Sequence, residues 1–123
     1  MDLIYTTEKL RKLCQSTSIA TKFFGGKKIL AISLAARINA LQNAVSLKDI
    51  IVQNQFCFHQ LKNKNGKNLN GYFAIDVKSR TDPWRIILRP LDNNKRPFVP
   101  CHIDAIAEYV EIVEIREVSK HYE

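Results

Sequence analysis

The sequence lacks the motifs that mark most cofactor-dependent proteins. It has no phosphate-binding glycine loop, no glycine-rich dinucleotide fingerprint and no pair of histidines at metal-ligand spacing. Its three cysteines form no C-x-x-C pair and have no zinc-type spacing. We therefore expect no metal and no cofactor, so any chemistry must come from ordinary side chains.

Long apolar runs are also missing. No stretch approaches the ~20 apolar residues that a membrane-spanning helix needs, and the polar N-terminal segment does not resemble a signal peptide. Glycine and proline are scarce, at four each, which argues against a disordered chain. The sequence therefore predicts one domain over residues 1–123 in a cytoplasmic protein with no membrane partner.

Positive charge is concentrated in the middle of the chain. The net charge is +7, from 19 lysines and arginines against 12 acidic residues. Residues 62–96 hold nine basic and three acidic side chains, whereas residues 97–123 hold two basic and six acidic ones. A concentrated positive field favours nucleic acid, a ribosome surface or an acidic protein as partner, although it also serves solubility.

Two segments, 71–77 and 84–89, alternate apolar and other residues, which is typical of half-buried strands. The residues predicted to face the core are Phe73, Ile75 and Val77 in the first segment and Trp84, Ile86 and Leu88 in the second. On the opposite face, Arg85 and Arg89 would lie about 13 Å apart. That spacing suits two neighbouring phosphates, but arginines that simply solvate an open sheet face are an equal alternative.

The remaining patterns predict an α+β domain. A strand at 2–5 precedes two short helices separated by Ser16, Thr17 and Ser18, and a longer helix spans 27–44. Strands at 56–61 and 109–118 complete the set. We expect the two to three helices to pack on one face of a mainly antiparallel four- to five-stranded sheet. The other face is expected to stay open, with basic and aromatic side chains on it.

Metal-free RNA cleavage needs a base for the 2′-hydroxyl, cations for the phosphorane and an acid for the leaving oxygen. Histidine, lysine and arginine supply these roles, and tyrosine stacks on a base. The candidate catalytic residues are Arg85, His121, Lys62 and Lys120, and the candidate RNA-binding residues are Lys64, Lys67, Arg89 and Tyr122. The opposing interpretation makes 120–122 a solvated terminus and His59 a structural histidine.

Several stretches taken in order resemble the HigB branch of the RelE/ParE toxins. They are Phe58-His59-Gln60-Leu61-Lys62, Gly71-Tyr72-Phe73-Ala74-Ile75-Asp76-Val77, Trp84-Arg85-Ile86-Ile87-Leu88, and Val113-Glu114-Ile115-Arg116-Glu117-Val118-Ser119-Lys120-His121-Tyr122. The resemblance covers nearly the whole chain. It implies a microbial RNase-like α+β fold and cleavage of mRNA on the translating ribosome.

The resemblance also implies residue roles. Arg85 would hold the scissile phosphate, Lys62 corresponds to the lysine before the glycine-aromatic strand, and His121 corresponds to the terminal histidine. The sequence departs from the family where Ser119 and Lys120 replace the usual Asp and Tyr, and Lys120 would transfer protons if it were desolvated. On this basis, Arg85→Ala and His121→Ala are each expected to relieve growth arrest without unfolding the protein.

The same resemblance implies partners. A helix-turn-helix antitoxin like HigA would neutralise the protein, as a heterotetramer, and the ribosome and mRNA would be its targets. Two other functions stay open from the sequence. One is a ParE-like poison of DNA gyrase, and the other is a non-catalytic basic module that binds RNA or protein.

Overall fold

The computed structural model describes residues 1–63 and 66–120. Its N-terminal half contains β1 (Asp2–Tyr5), α1 (Glu8–Gln15), α2 (Thr17–Phe23), α3 (Lys28–Asn43) and α4 (Lys48–Ile51). The Thr7 hydroxyl accepts from the Leu10 N–H at 3.1 Å, and the Ser16 hydroxyl accepts from the Ile19 N–H at 3.2 Å. Because Ser16 ends α1 and caps α2, the predicted break between two short helices is confirmed.

The C-terminal half supplies most of the sheet. It contains β2 (His59–Gln60), β3 (Phe73–Asp76), β4 (Arg85–Leu91), α5 (Ile103–Ile106) and β5 (Ile112–Ser119). The strand order is β1-β5-β4-β3-β2; β1 runs parallel to β5 and the other neighbours are antiparallel. The predicted α+β class is confirmed, with a five-stranded mixed sheet. Among the described residues, no helix is long and apolar enough to cross a membrane.

Strand β2 is shorter than the predicted strand at 56–61. Residues Asn54–Phe56 form a 3-10 turn instead, and Cys57 follows with a left-handed φ of 48°. A strand cannot continue through a left-handed residue, so pairing with β3 begins only at His59.

The main core lies between the helices and one face of the sheet, which we call the inner face. Every residue predicted to face the core from 71–77 and 84–89 contributes to it, with Trp84 partly buried at its edge. Helix α3 supplies Leu30, Leu34, Ile38 and Leu41, all nearly or fully buried. The helices therefore pack on one face, as the alternation indicates.

The large apolar side chains of α3 and of the residues after it do not all face the sheet. Ile29 and Ile32 are 65% and 53% exposed, and Val45 just after the helix is 81% exposed. At 100° per residue, Ile29 and Ile32 lie on the side of the helix opposite Leu34 and Ile38. The helix can turn only one of these two sides toward the sheet.

The second face of the sheet, the outer face, is not open as predicted. Leu61, Leu69 and Tyr72 form a small buried cluster there with Ala74 and Ile87. The chain after β2 folds back over the sheet, because the Leu61 N–H donates to the Tyr72 carbonyl and the Tyr72 N–H to the Leu69 carbonyl, both at 3.0 Å. Leu61, Leu69 and Tyr72 thus cover part of the outer face.

A β-bulge in β5 changes which side chains face the core. Ile87 pairs with Glu117 and Leu88 pairs with Ile115, so Arg116 is the extra residue. Beyond the bulge, Val118 joins the main core. Without the bulge, strict alternation would place Val118 on the same face as Ile112 instead.

Alkaline pH is expected to destabilise the fold through Cys14 and Tyr5. Burial raises the pKa of the Cys14 thiol to about 12, and burial also raises the pKa of Tyr5 to about 12. At a pH between the ordinary pKa of each group and about 12, the Cys14 thiol and the Tyr5 hydroxyl lose their protons in the unfolded chain but keep them in the folded protein. Stability therefore falls as pH rises, by up to about 1.4 kcal/mol per pH unit for one such group.

Urea unfolding at pH 8 and pH 10.5 tests this expectation. The variant Cys14→Ala should lose less stability between the two pH values than the wild type, whatever its stability at pH 8. Cys57→Ala, which removes a partly exposed thiol instead of the buried one, is the matched control. Equal losses in all three proteins would contradict the expectation.

Candidate functional site

Arg85 is buried under the connection between β3 and β4, at 3% exposure. Its Nη1 donates to the carbonyls of Asp82 and, at 2.9 Å, Trp84, and its Nη2 donates to the Arg80 carbonyl at 3.1 Å. Its Nε lies 3.2 Å from Asp76 Oδ1. These contacts direct the guanidinium into the protein, where it holds the connecting loop.

The Asp76 carboxylate shares this environment, at 1% exposure. Arg80 lies 3.9 Å from the same oxygen, Asp76 Oδ1, as a second, more exposed cation. That oxygen has ionic contacts, yet it accepts no well-directed hydrogen bond from the described residues. A buried carboxylate is tolerated only beside positive charge, so Asp76 and Arg85 depend on each other.

The prediction that Arg85 presents an open guanidinium to a phosphate is therefore wrong for this conformation. As the alternation of the strand predicts, Arg85 lies on the face of β4 that points away from the main core. However, the carbonyls at 79–84 and Asp76 occupy the space in front of it. The role of Arg85 at the scissile phosphate stays a prediction.

A cluster of charged groups surrounds Tyr72 on the outer face; we call Tyr72, Arg89, Glu114 and Arg116 the tyrosine cluster. The Cζ atoms of Arg89 and Arg116 lie 4.9 Å and 4.8 Å from the ring centroid. Arg116 Nη1 donates to the Tyr72 hydroxyl at 3.0 Å, and Arg89 Nε donates to Glu114 Oε1 at 2.8 Å. The aromatic ring thus orders two guanidiniums side by side.

The cluster keeps positive charge at the surface. The Arg89 side chain is 27% exposed and Glu114 is 16% exposed. Since Arg89 uses Nε for Glu114, its two terminal nitrogens stay available for an anion as far as the described residues are concerned. Among the described residues, the Glu114 carboxylate contacts Arg89, and both guanidiniums contact the Tyr72 ring.

Lys62 and Lys67 lie on the same part of the outer face. Lys62 follows Leu61, which pairs with Tyr72, and both lysines are exposed. Leu69, two residues after Lys67, is anchored in the outer cluster, and its N–H donates to Asn63 Oδ1 at 2.7 Å. Lys62 and Lys67 are therefore close in the chain to the outer cluster of Leu61, Leu69 and Tyr72, and Arg89 contacts the ring of Tyr72.

Lys120 lies elsewhere. It follows Ser119, the register partner of Arg85, and its Nζ is 5.6 Å from the centroid of the Trp84 ring, which packs against α2 and the residue after it. Lys62 follows Leu61, whose N–H donates to the carbonyl of Tyr72, the residue before β3. Arg85 pairs with Asp76, the last residue of β3. Lys62 and Lys120 therefore lie toward opposite ends of β3. Lys120 is also exposed, whereas the proposed proton transfer required a desolvated lysine.

Three of the predicted site residues, Lys64, His121 and Tyr122, lie outside the described residues. The chain enters its last three residues from Ser119 and Lys120, beside the start of β4. The predictions for these three side chains stay predictions.

His59 takes a local contact, as the structural interpretation expects. Its Nδ1 is 2.7 Å from the Cys57 carbonyl oxygen. Within the described parts of the chain, no group of three or more His, Cys, Asp or Glu side chains is arranged to hold a metal ion.

Sequence reasoning missed Tyr72 and Arg116 as site residues. Tyr72 precedes an alternating strand and gave no signal of its own. Arg116 lies in the acidic C-terminal region, and only the bulge in β5 places it near Tyr72.

Comparisons with known proteins do not identify the chain. No protein-family model, no curated protein and no solved structure gives a significant match to it. The resemblance to the HigB branch therefore depends on the quoted residues alone.

Proposed function

We propose that the protein is an endoribonuclease toxin that cleaves mRNA on the translating ribosome, and that an antitoxin with a helix-turn-helix domain neutralises it. The observation that carries the RNA-binding half of this proposal is the tyrosine cluster. It presents two arginines on a basic surface with Lys62 and Lys67 beside it. The cleavage half is supported by the resemblance of the C-terminal residues, His121 above all.

The arrangement suits a single RNA strand. Arginine binds phosphate oxygens through paired N–H groups, and its planar guanidinium also stacks on bases. Lysines on a nearby loop add sequence-independent attraction to the backbone. RNA bound along this face would place one phosphate at Arg89 and neighbouring ones at Lys62 and Lys67.

A non-catalytic RNA-binding protein is the second candidate, and the burial of Arg85 favours it. With that arginine directed into the protein, one of the cations expected at the scissile phosphate is missing from the surface. Cleavage then needs another cation at the phosphorane, and Arg89 or Arg116 is the nearest choice on the outer face.

Induced expression in a bacterium separates these functions. An endonuclease should lower protein synthesis and leave cut transcripts that primer extension detects. A non-catalytic binder should leave transcripts intact, and a gyrase poison should trigger the DNA-damage response with mRNA intact. Growth arrest with whole transcripts would refute the proposal.

The variant Arg89→Gln/Arg116→Gln is expected to bind single-stranded RNA about 10-fold to 100-fold more weakly than the wild type. Each lost phosphate contact should also reduce the slope of log Kd against log salt concentration by about 0.7. Fluorescence anisotropy with a labelled oligonucleotide at several salt concentrations measures both effects.

The matched control is Lys12→Gln/Lys48→Gln, which removes the same charge from exposed positions on α1 and α4. It should change affinity by much less, because these lysines are on helices that pack against the inner face. Equal effects of the two double variants would mean that only net charge matters, and the tyrosine cluster would not be the binding site.

A further inference from the structure

A groove exists between the helices and the end of β5 because β1 is shorter than its neighbour. The last register pair of β1 joins Tyr5 to Ile115, whereas β5 continues to Ser119. Past Tyr5 the chain turns away into α1, so no described strand lies beside residues 116–119 on that side. The resulting groove has a volume of about 660 Å³ and is bounded by α1, α2 and β5.

The floor of this groove is apolar. Its apolar lining residues are Leu10, Leu13, Ile19, Phe23 and Val118. Ile19 and Phe23 are 43% and 42% exposed, although both are large hydrophobic side chains. Contiguous exposed apolar surface beside a groove is typical of a site where another molecule binds.

The rim of the groove is basic. Lys9 comes from α1 and Lys22 from α2, and Glu117 is the acidic residue among the lining residues. Arg116 also borders the groove, but its guanidinium contacts Tyr72 on the outer face. Lys120 extends this charge, since it lies over the Trp84 ring, which is 5.2 Å from the ring of Phe23. An apolar floor with a positive rim is complementary to a chain that carries apolar and acidic side chains together.

A polypeptide fits this surface better than RNA does. Most of the floor is aliphatic, and the Phe23 ring already packs against Phe24 and Trp84, at centroid distances of 5.1 Å and 5.2 Å. RNA bases need free aromatic or guanidinium faces for stacking. Apolar side chains of a peptide can instead fill the floor while its carboxylates reach the lysines.

We propose that this groove binds an acidic amphipathic segment of a protein partner. For the identity of the partner the inference rests on the proposed function, under which the segment belongs to the antitoxin. The groove adjoins the tyrosine cluster only at Arg116, whose guanidinium contacts Tyr72 on the outer face, so binding in the groove leaves the Arg89 side of that face uncovered.

The test uses two acidic peptides of about 12 residues, one with apolar residues at alternate positions and one with helical spacing. A peptide with lysine in place of each glutamate and a single-stranded oligouridylate serve as the other probes. Binding is measured by fluorescence anisotropy, and the binding site is mapped by amide chemical shifts of the full chain.

At least one acidic peptide should bind, with shifts at Ile19, Lys22, Phe23 and residues 116–118. Lys9→Glu/Lys22→Glu should weaken that binding about tenfold or more, while Lys48→Glu/Lys78→Glu, with the same change in charge at exposed sites outside the groove, should weaken it far less. The groove variant should still cleave RNA, and His121→Ala should still bind the peptide, so a failure of one proposal is distinguishable from a failure of the other.

Three outcomes would overturn the inference. They are binding of the basic peptide as tightly as the acidic ones, shifts confined to the outer face around Tyr72, and equal binding by the two double variants. Oligouridylate binding that is lost in Lys9→Glu/Lys22→Glu would assign the groove to RNA and would also overturn it.

Discussion

Replacement of Arg85 by alanine is expected to lower the free energy of unfolding by about 3–5 kcal/mol, because it leaves a buried carboxylate without its nearest cation. Asp76 is 1% exposed and its Oδ1 lies 3.2 Å from Arg85 Nε. Water cannot replace the lost cation at such a site. Urea unfolding followed by circular dichroism measures the loss.

The lost arginine would also leave carbonyl groups of the β3–β4 connection without donors. Arg85 donates to the carbonyls of Arg80, Asp82 and Trp84. Lysine is not a substitute, since its single ammonium lacks the planar fork that reaches several acceptors at once. We therefore expect Arg85→Lys to be destabilised as well, though it keeps the charge beside Asp76.

Two further variants separate this structural role from direct catalysis. Lys78→Ala changes an exposed side chain of the same connection and should alter stability by less than about 0.5 kcal/mol. Adding Asp76→Ala to Arg85→Ala should restore part of the lost stability, because the unpaired charge is removed. An Arg85→Ala protein as stable as the wild type but unable to cleave RNA would instead return Arg85 to the catalytic site.

The parts of the fold that depend on local sequence patterns, such as helix caps and strand alternation, could be predicted from the sequence. The caps at Thr7 and Ser16 act within three residues, so the two short helices could be located. The alternation in β3 and β4 likewise indicates which side chains enter the core. Period-2 spacing predicts the inner face because burial acts on each strand separately.

The candidate site could not be predicted in the same way, because it depends on contacts distant in sequence. Arg85 is buried only because the residues before it fold over its guanidinium. Arg116 reaches Tyr72, 44 positions away, only because a bulge interrupts the alternation of β5. Neither the loop over Arg85 nor the bulge leaves a periodic signal, so the burial of Arg85 and the contact of Arg116 with Tyr72 could not be predicted.

Replacement of His121 by alanine is expected to lower the RNA cleavage rate about 10²–10⁴-fold while RNA affinity changes little. A metal-free cleavage needs a group that both accepts and donates a proton near neutral pH, and imidazole is the side chain best suited to it. Single-turnover cleavage on programmed ribosomes gives the rate, and anisotropy gives the affinity. The opposite pattern is expected for Arg89→Gln/Arg116→Gln, which should lose affinity first.

The assignment to His121 gains weight from the other two histidines. His59 Nδ1 is within hydrogen-bond distance of the Cys57 carbonyl oxygen, which restrains its ring. His102 is exposed and directly precedes α5. His102→Ala is the matched control, which should cleave at the wild-type rate. Added imidazole should partly restore cleavage by His121→Ala if the ring transfers a proton. If the variant is slow, binds RNA more weakly and is not rescued by imidazole, His121 binds RNA and does not transfer the proton. The proton would then have to move through another group.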